Sequence, residues 1–237
     1  MQENGILYLI PTTLGDTAET ADVIPKKVVD VINTIDEYIV ENEKTARHYL
    51  KKVGLLKPIQ EIVLHPLNQH TAQQIVSGYL KSLLEGKNIG IISEAGCPGV
   101  ADPGAEVVRM AHEKHIRVIP LVGPSSILLA LMASGFNGQS FTFNGYLPKD
   151  RVERKKKISD LERIAQTKDT TQMFIETPYR NMHMLDDILT TCAGATRLCI
   201  ACDITLPTEF IKTKTIAAWK KNLPELNKRP AIFLIYK

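Results

Sequence analysis

The stretch Asn88-Ile89-Gly90-Ile91-Ile92-Ser93-Glu94-Ala95-Gly96-Cys97-Pro98-Gly99-Val100-Ala101-Asp102-Pro103-Gly104 decides the fold. Its first six residues are almost continuously apolar, as expected of a strand covered on both faces. A long loop rich in Gly and Pro follows, and Gly104–Lys114 then reads as a helix. A buried strand that passes through such a loop into a helix is the repeating unit of an α/β layer. In such layers ligands gather outside the carboxyl ends of the strands.

The same alternation extends toward the amino terminus. Ile6–Ile10, Glu37–Val40, Ile59–Leu64 and Arg117–Val122 read as strands. Between them, Pro25 opens a helix that runs to about Asn33. Glu43–Val53 is helical and closed by Gly54, and Gln69–Leu84 is helical and closed by Gly86. This order predicts a mainly parallel α/β domain over residues 1–121. Residues 122–237 read differently. Pro124–Ser134, Arg151–Ala165, Tyr179–Thr190 and a short segment near Ala217–Asn222 are helical. Ser140–Tyr146, Thr171–Ile175, Arg197–Asp203, Glu209–Lys214 and Ala231–Tyr236 are strands with less helix between them, so this half is a mixed α/β domain.

Composition sets the outer bounds. The chain has 237 residues, 44% of them hydrophobic and 23% charged, with a formal net charge of +3. That is globular composition, which excludes disorder, collagen-like repeats and a histone-like tail. Four cysteines are too few for a disulfide framework and suit a reducing cytoplasm. Met1-Gln2-Glu3-Asn4 lacks the basic and apolar regions of a signal peptide, and no run approaches a membrane span. A soluble, cytoplasmic protein is expected.

Several familiar signatures are missing. There is no G-x-G-x-x-G, no G-x-x-x-x-G-K-[ST] and no H-E-x-x-H. Cys199-Ile200-Ala201-Cys202 forms a C-x-x-C inside a strand. There positions i and i+3 point to opposite faces, so packing explains the pair better than a shared metal. Three strand-to-helix loops carry more information: Pro11–Asp16, Ser93–Gly104 and Val122–Ser126. All three should gather at the carboxyl ends of parallel strands and form a ligand site.

At these loops the chain resembles the tetrapyrrole-methylase superfamily of S-adenosylmethionine (SAM) methyltransferases. Within it, the chain is most similar to the bacterial 16S rRNA ribose 2′-O-methyltransferase branch. The branch motif S-D-A-G-T-P-L-I-S-D-P-G stands here as Ser93-Glu94-Ala95-Gly96-Cys97-Pro98-Gly99-Val100-Ala101-Asp102-Pro103-Gly104. Its P-G-P-S-A is matched by Val122-Gly123-Pro124-Ser125-Ser126, followed by Ser134-Gly135-Phe136 and Phe143-Asn144-Gly145-Tyr146-Leu147-Pro148. Its Y-E-S-P-H-R is matched by Ile175-Glu176-Thr177-Pro178-Tyr179-Arg180. The resemblance implies an α/β fold of two domains with a SAM-binding cleft between them, a homodimer and no metal. It places SAM against Pro11 to Leu14, against Glu94, Ala95, Gly96, Pro98 and Val100, and against Ser125, Ser126 and Ile127. Thr177 and Ala231 of the second domain complete that set.

The chemistry implied is direct displacement, in which a substrate atom attacks the sulfonium methyl in line and the protein positions the two reactants. A ribose hydroxyl is a poor nucleophile and profits from a base or acceptor. Glu176, His65 and Glu41 match polar positions of the branch, and Arg47 and Arg180 could bind phosphate or orient substrate. For His65 the alternative is a loop histidine without catalytic role. For Glu176 it is an acidic residue at a helix start. The chain departs from the branch where E-D-T-R-H-T-R becomes Glu41-Asn42-Glu43-Lys44-Thr45-Ala46-Arg47, at Tyr179, and at Cys202. These are substrate-side positions; the shared fold makes a corrin or porphyrin C-methyltransferase the alternative function, and the altered polar positions make a non-catalytic SAM-binding protein a third.

Charge distribution bears on the acceptor. Lys149, Arg151, Arg154, Lys155, Lys156 and Lys157 stand against Asp150 and Glu153 alone. Lys212, Lys214, Lys220, Lys221, Lys228 and Arg229 stand against Glu225. Basic segments of this kind attract a phosphate backbone, so RNA of the small ribosomal subunit is the expected partner.

Overall fold

The computed structural model describes residues 3–68, 71 and 73–237. Contacts divide the chain into two compact units, Met1–Ser125 and Ser126–Lys237.

The first unit is built on five parallel strands: β1 (Ile6–Ile10), β2 (Glu37–Val40), β3 (Val63–Pro66), β4 (Ile89–Ile92) and β5 (Arg117–Pro120). Their order is β3-β2-β4-β1-β5. The connecting helices are α1 (Thr20–Val23), α2 (Lys26–Ile32), α3 (Glu43–Lys52), α4 (Gln73–Tyr79), α5 (Lys81–Leu84) and α6 (Gly104–Glu113). Alternate strand residues feed two cores. Ile10, Tyr38, Val40 and Ile92 face α2 and α3, while Leu7, Ile39, Ile89 and Ile91 face the helices of the other layer. This two-sided burial is why the central strands read as continuous apolar runs.

Two expectations need correction in this unit. Ile59–Glu61 is a 3-10 turn rather than the start of a strand, and pairing begins only at Val63 and runs to Pro66. Pro58 explains the change, because it fixes its own φ and supplies no N–H for a ladder. His65 therefore lies in a strand, not in a loop. The expected helix Gln69–Leu84 begins on residues outside the described ones. Its described part is two short helices meeting at Leu80, two residues after Gly78, which weakens a helix interior. The short helix α1 carries no apolar periodicity, and sequence reading missed it.

The second unit contains β6 (Phe141–Tyr146), β7 (Thr171–Ile175), β8 (Arg197–Cys202), β9 (Phe210–Thr215) and β10 (Ala231–Tyr236) in the order β6-β7-β10-β8-β9. Only β6 and β7 are parallel; the other pairs are antiparallel. Its helices are α7 (Ser126–Ser134), α8 (Arg151–Lys168), α9 (Asn181–Thr191) and α10 (Ile216–Trp219). Phe174, Ile200, Phe233 and Ile235 form one core with Leu161, Met184, Ile188 and Trp219. The Trp219 indole N–H donates to the Leu198 carbonyl at 2.9 Å, which satisfies the one polar atom of a buried ring. Cys202 joins this core, whereas Cys199 is equally buried on the opposite face of β8. All four cysteines are free thiols.

Inside this unit a buried ion pair locks α8 to α9. Arg154, 5% exposed, donates to Asp187, 1% exposed, at 2.6 and 2.8 Å, and to the Pro148 and Lys149 carbonyls. Arg151 bridges Asp186 and Asp187. Two of the six cations of the first basic segment are thus neutralised by acids more than thirty residues away, a pairing that local charge counting cannot see. Among the described residues no helix is long and apolar enough to cross a membrane.

Candidate functional site

The carboxyl edge of the first sheet collects the three loops. After β1 the chain turns at Pro11, and the Thr12 N–H donates to the Gly96 carbonyl at 2.9 Å. Tyr49 of α3 donates its hydroxyl to the Pro11 carbonyl at 2.6 Å. Gly123 lies so close that an added Cβ would stand 2.2 Å from Pro11 Cβ. Gly96 adopts φ +73°, which glycine enters without steric cost, and a Cβ there would meet Leu14 and the Pro124 carbonyl. The Cys97 thiol reaches that same carbonyl at 3.4 Å. Asp102 accepts from the Gly99 and Gly104 N–H groups at 2.7 to 3.0 Å and folds the Pro98–Gly104 turn back on itself. Pro11, Leu14, Gly96 and Pro98 thus form the interlocked base of the edge. Glu94, Ala95 and Val100 are exposed upon it.

Two carboxylates meet at this edge. Glu41, just past β2, accepts a 3.4 Å hydrogen bond from the Glu94 N–H. The Glu94 carboxylate accepts from the Thr45 hydroxyl at 2.7 Å. Burial pushes the Glu41 carboxyl up from the usual range. The Glu94 N–H opposes that rise, and the charges of Asp102 and Glu94 add to it. Asn42 caps α3 by accepting from the Lys44 and Thr45 N–H groups.

The side chains of two expected catalytic residues engage other partners. Arg47 donates to the Ile59 carbonyl at 3.0 Å and pairs with Glu43 at 3.5 Å, tying α3 to the 3-10 turn. His65 stacks on Tyr79 and sits 3.3 Å from Glu37, which Ser82 and Lys87 also approach. Neither side chain joins the Glu41–Glu94 pair.

In the second unit, Glu176, Thr177, Arg180 and Ala231 share one end of the sheet. Ile175 pairs with Ile232, so Ala231 starts β10 beside the chain at Glu176. Glu176 is 7% exposed. It accepts from the Thr177 N–H at 2.7 Å and pairs with Arg180 at 3.1 Å, and Arg180 reaches the Lys149 carbonyl. Tyr179 is 72% exposed beside them. At the same end Asp203 pairs with Arg229 at 2.8 Å and accepts from Thr208. These partners are absent from the expected set because they lie too far apart in sequence to form a motif. Ser126 and Ile127 open α7, and Ser125 ends the first unit. Tyr49 was also missed; its role shows only once α3 packs on the β1 loop.

A parallel sheet with Gly- and Pro-rich loops at one edge, and a second unit with a mixed sheet, define an α/β protein of the tetrapyrrole-methylase fold. Solved structures share that fold at 17% identity: the methyltransferase CobJ, over 100% of this chain and 95% of that one with a TM-score of 0.63, and the cobalt precorrin-4 methyltransferase CbiF, over 98% and 94% with a TM-score of 0.61. No family model matches the chain. Curated relatives include ribosomal RNA small subunit methyltransferase I of Haemophilus influenzae, 32% identical over 93% of this chain and 72% of that protein. The Vibrio cholerae protein of the same name is 29% identical over 90% of this chain and 69% of its own length. The chain belongs to the ribosomal RNA small subunit methyltransferase I family and is a methyltransferase.

Proposed function

We propose that this protein transfers the methyl group of SAM to a ribose 2′-hydroxyl of small-subunit ribosomal RNA, of the 16S cytidine type. The carrying observation is the similarity to ribosomal RNA small subunit methyltransferase I proteins, which extends over almost the whole chain. The interlocked loops at the carboxyl edge of the first sheet support a SAM site made with Pro11, Leu14, Glu94, Ala95, Gly96, Pro98, Val100 and Ser125. The carboxylates of Glu41 and Glu94 suit the positive charge of that cosubstrate.

SAM supplies an electrophilic methyl on a sulfonium, and direct displacement calls for no metal. The residues have the remaining tasks of orientation and proton handling. Burial raises the pKa of Glu41, so its ionised carboxylate is the more basic for it and is the candidate to accept the proton of an attacking hydroxyl. Glu176 is held by Thr177 N–H and Arg180 as an acceptor, which suits orienting a hydroxyl. His65 and Arg47 are bound into the fold and fill supporting roles.

The protein works in the cytoplasm as a homodimer in this reading. The exposed apolar residues Leu128 and Met132, four apart on one face of α7, support a self-association surface. The direct test supplies purified protein with labelled SAM and unmodified small ribosomal subunits. Label in ribose of the RNA is expected; no label from a protein that binds SAM would overturn the acceptor.

A further inference from the structure

A cavity of about 530 Å³ opens between the loop after β1 and α3. That volume lies within the range of roughly 300–1,000 Å³ typical of ligand sites. One wall is the α3 face bearing Lys44, His48 and Lys52, which recur every four residues and so stack along one side of the helix. The facing wall carries Thr12, Thr13 and Asp16, with Glu94 at the border toward Glu41.

Among the described residues neither Lys44 nor Lys52 forms an ion pair, although Asp16 and Glu94 also line the cavity. Among the described residues, the ion pair of α3 is that of Arg47 with Glu43, and neither residue lines the cavity. The Lys52 ammonium donates to two neutral carbonyls, Asp16 and Ala18, which fix its position without cancelling its charge. One of its three protons remains for another acceptor. Lys44 stands at the capped amino end of the helix, where the helix dipole adds positive potential. An anion with several acceptor oxygens suits Lys44 and the remaining proton of Lys52 together.

We propose that this cavity seats a phosphodiester group of the RNA substrate, with Lys44 and His48 donating to its oxygens and Lys52 supplying fixed charge. The proposal rests on the reading that the acceptor is ribosomal RNA, and it assigns one backbone contact of that RNA to a place in the first unit.

The test is the double variant Lys44→Ala/His48→Ala, at exposed helix positions where alanine preserves the helix. It is compared with the unchanged protein for KM toward small ribosomal subunits at several salt concentrations, and for SAM affinity by calorimetry. A KM raised about tenfold is expected, with a salt slope shallower by roughly 0.7–0.9 for each phosphate that is no longer neutralised. SAM affinity should stay the same, and Lys44→Arg alone should retain most of the function. An unchanged KM and slope, measured beside an active parent protein, would refute the phosphate site while leaving the RNA reading intact. A loss of SAM affinity in step with the loss of activity would assign the cavity to the cofactor and overturn the proposal. A parent protein that binds SAM but methylates no RNA would overturn both readings together.

Discussion

Glu41 and Gly123 each put one side-chain choice under test. The Glu41 carboxyl is raised in the folded state, mainly by burial, so ionising it opposes folding. That cost is absent below the unfolded-state pKa of about 4.3 and complete once the pH passes the folded value. Glu41→Gln should therefore raise Tm relative to the parent at pH 7, and the gain should vanish near pH 4. Thermal melts across that window check it. The same variant should lower methyl transfer at pH 7, because an amide accepts no proton. At Gly123 the obstacle is steric. A methyl group there meets the Pro11 ring at 2.2 Å, so Gly123→Ala forces two loops apart. Overpacking of this kind costs about 1–3 kcal/mol, read by urea unfolding, and SAM affinity should fall with it.

Caps and helix contacts extend the argument to whole elements. Asn42 satisfies two N–H groups at the start of α3, so Asn42→Ala should cost about 1 kcal/mol by denaturant titration. Asp187→Ala leaves Arg154 buried without its partner between α8 and α9, and a loss of about 3–5 kcal/mol is expected. The elements that sequence reading located well are those buried on both faces or capped locally. β4 is wholly buried, and α3 begins at Asn42 and ends before Gly54. Those it misplaced have no such signal. The residues around β3 are half-exposed, so apolar content could not mark where the 3-10 turn ends and pairing begins. The loops of the candidate site were legible because Gly and Pro mark them. The Tyr49–Pro11, Glu176–Arg180 and Asp203–Arg229 contacts depend on packing, and a single sequence displays only the second, by its four-residue spacing.

For the molecule as a whole, net charge describes the surface poorly. The +3 total hides two basic segments, yet Arg151, Arg154 and Arg229 are held by Asp186, Asp187 and Asp203. Among the described residues the cations outside such ion pairs are mainly lysines, including Lys155, Lys156 and Lys157 on α8 and Lys44 and Lys52 on α3. Self-association is tested separately. Light scattering should give twice the 26.4 kDa chain mass, and Met132→Asp on the exposed face of α7 should shift it toward the single chain. The central claim is ribose methylation of small-subunit RNA, and mapping 2′-O-methyl groups on that RNA with and without the gene tests it most directly. The account predicts one ribose that is methylated only when the gene is present. An identical methylation map in both strains would contradict it.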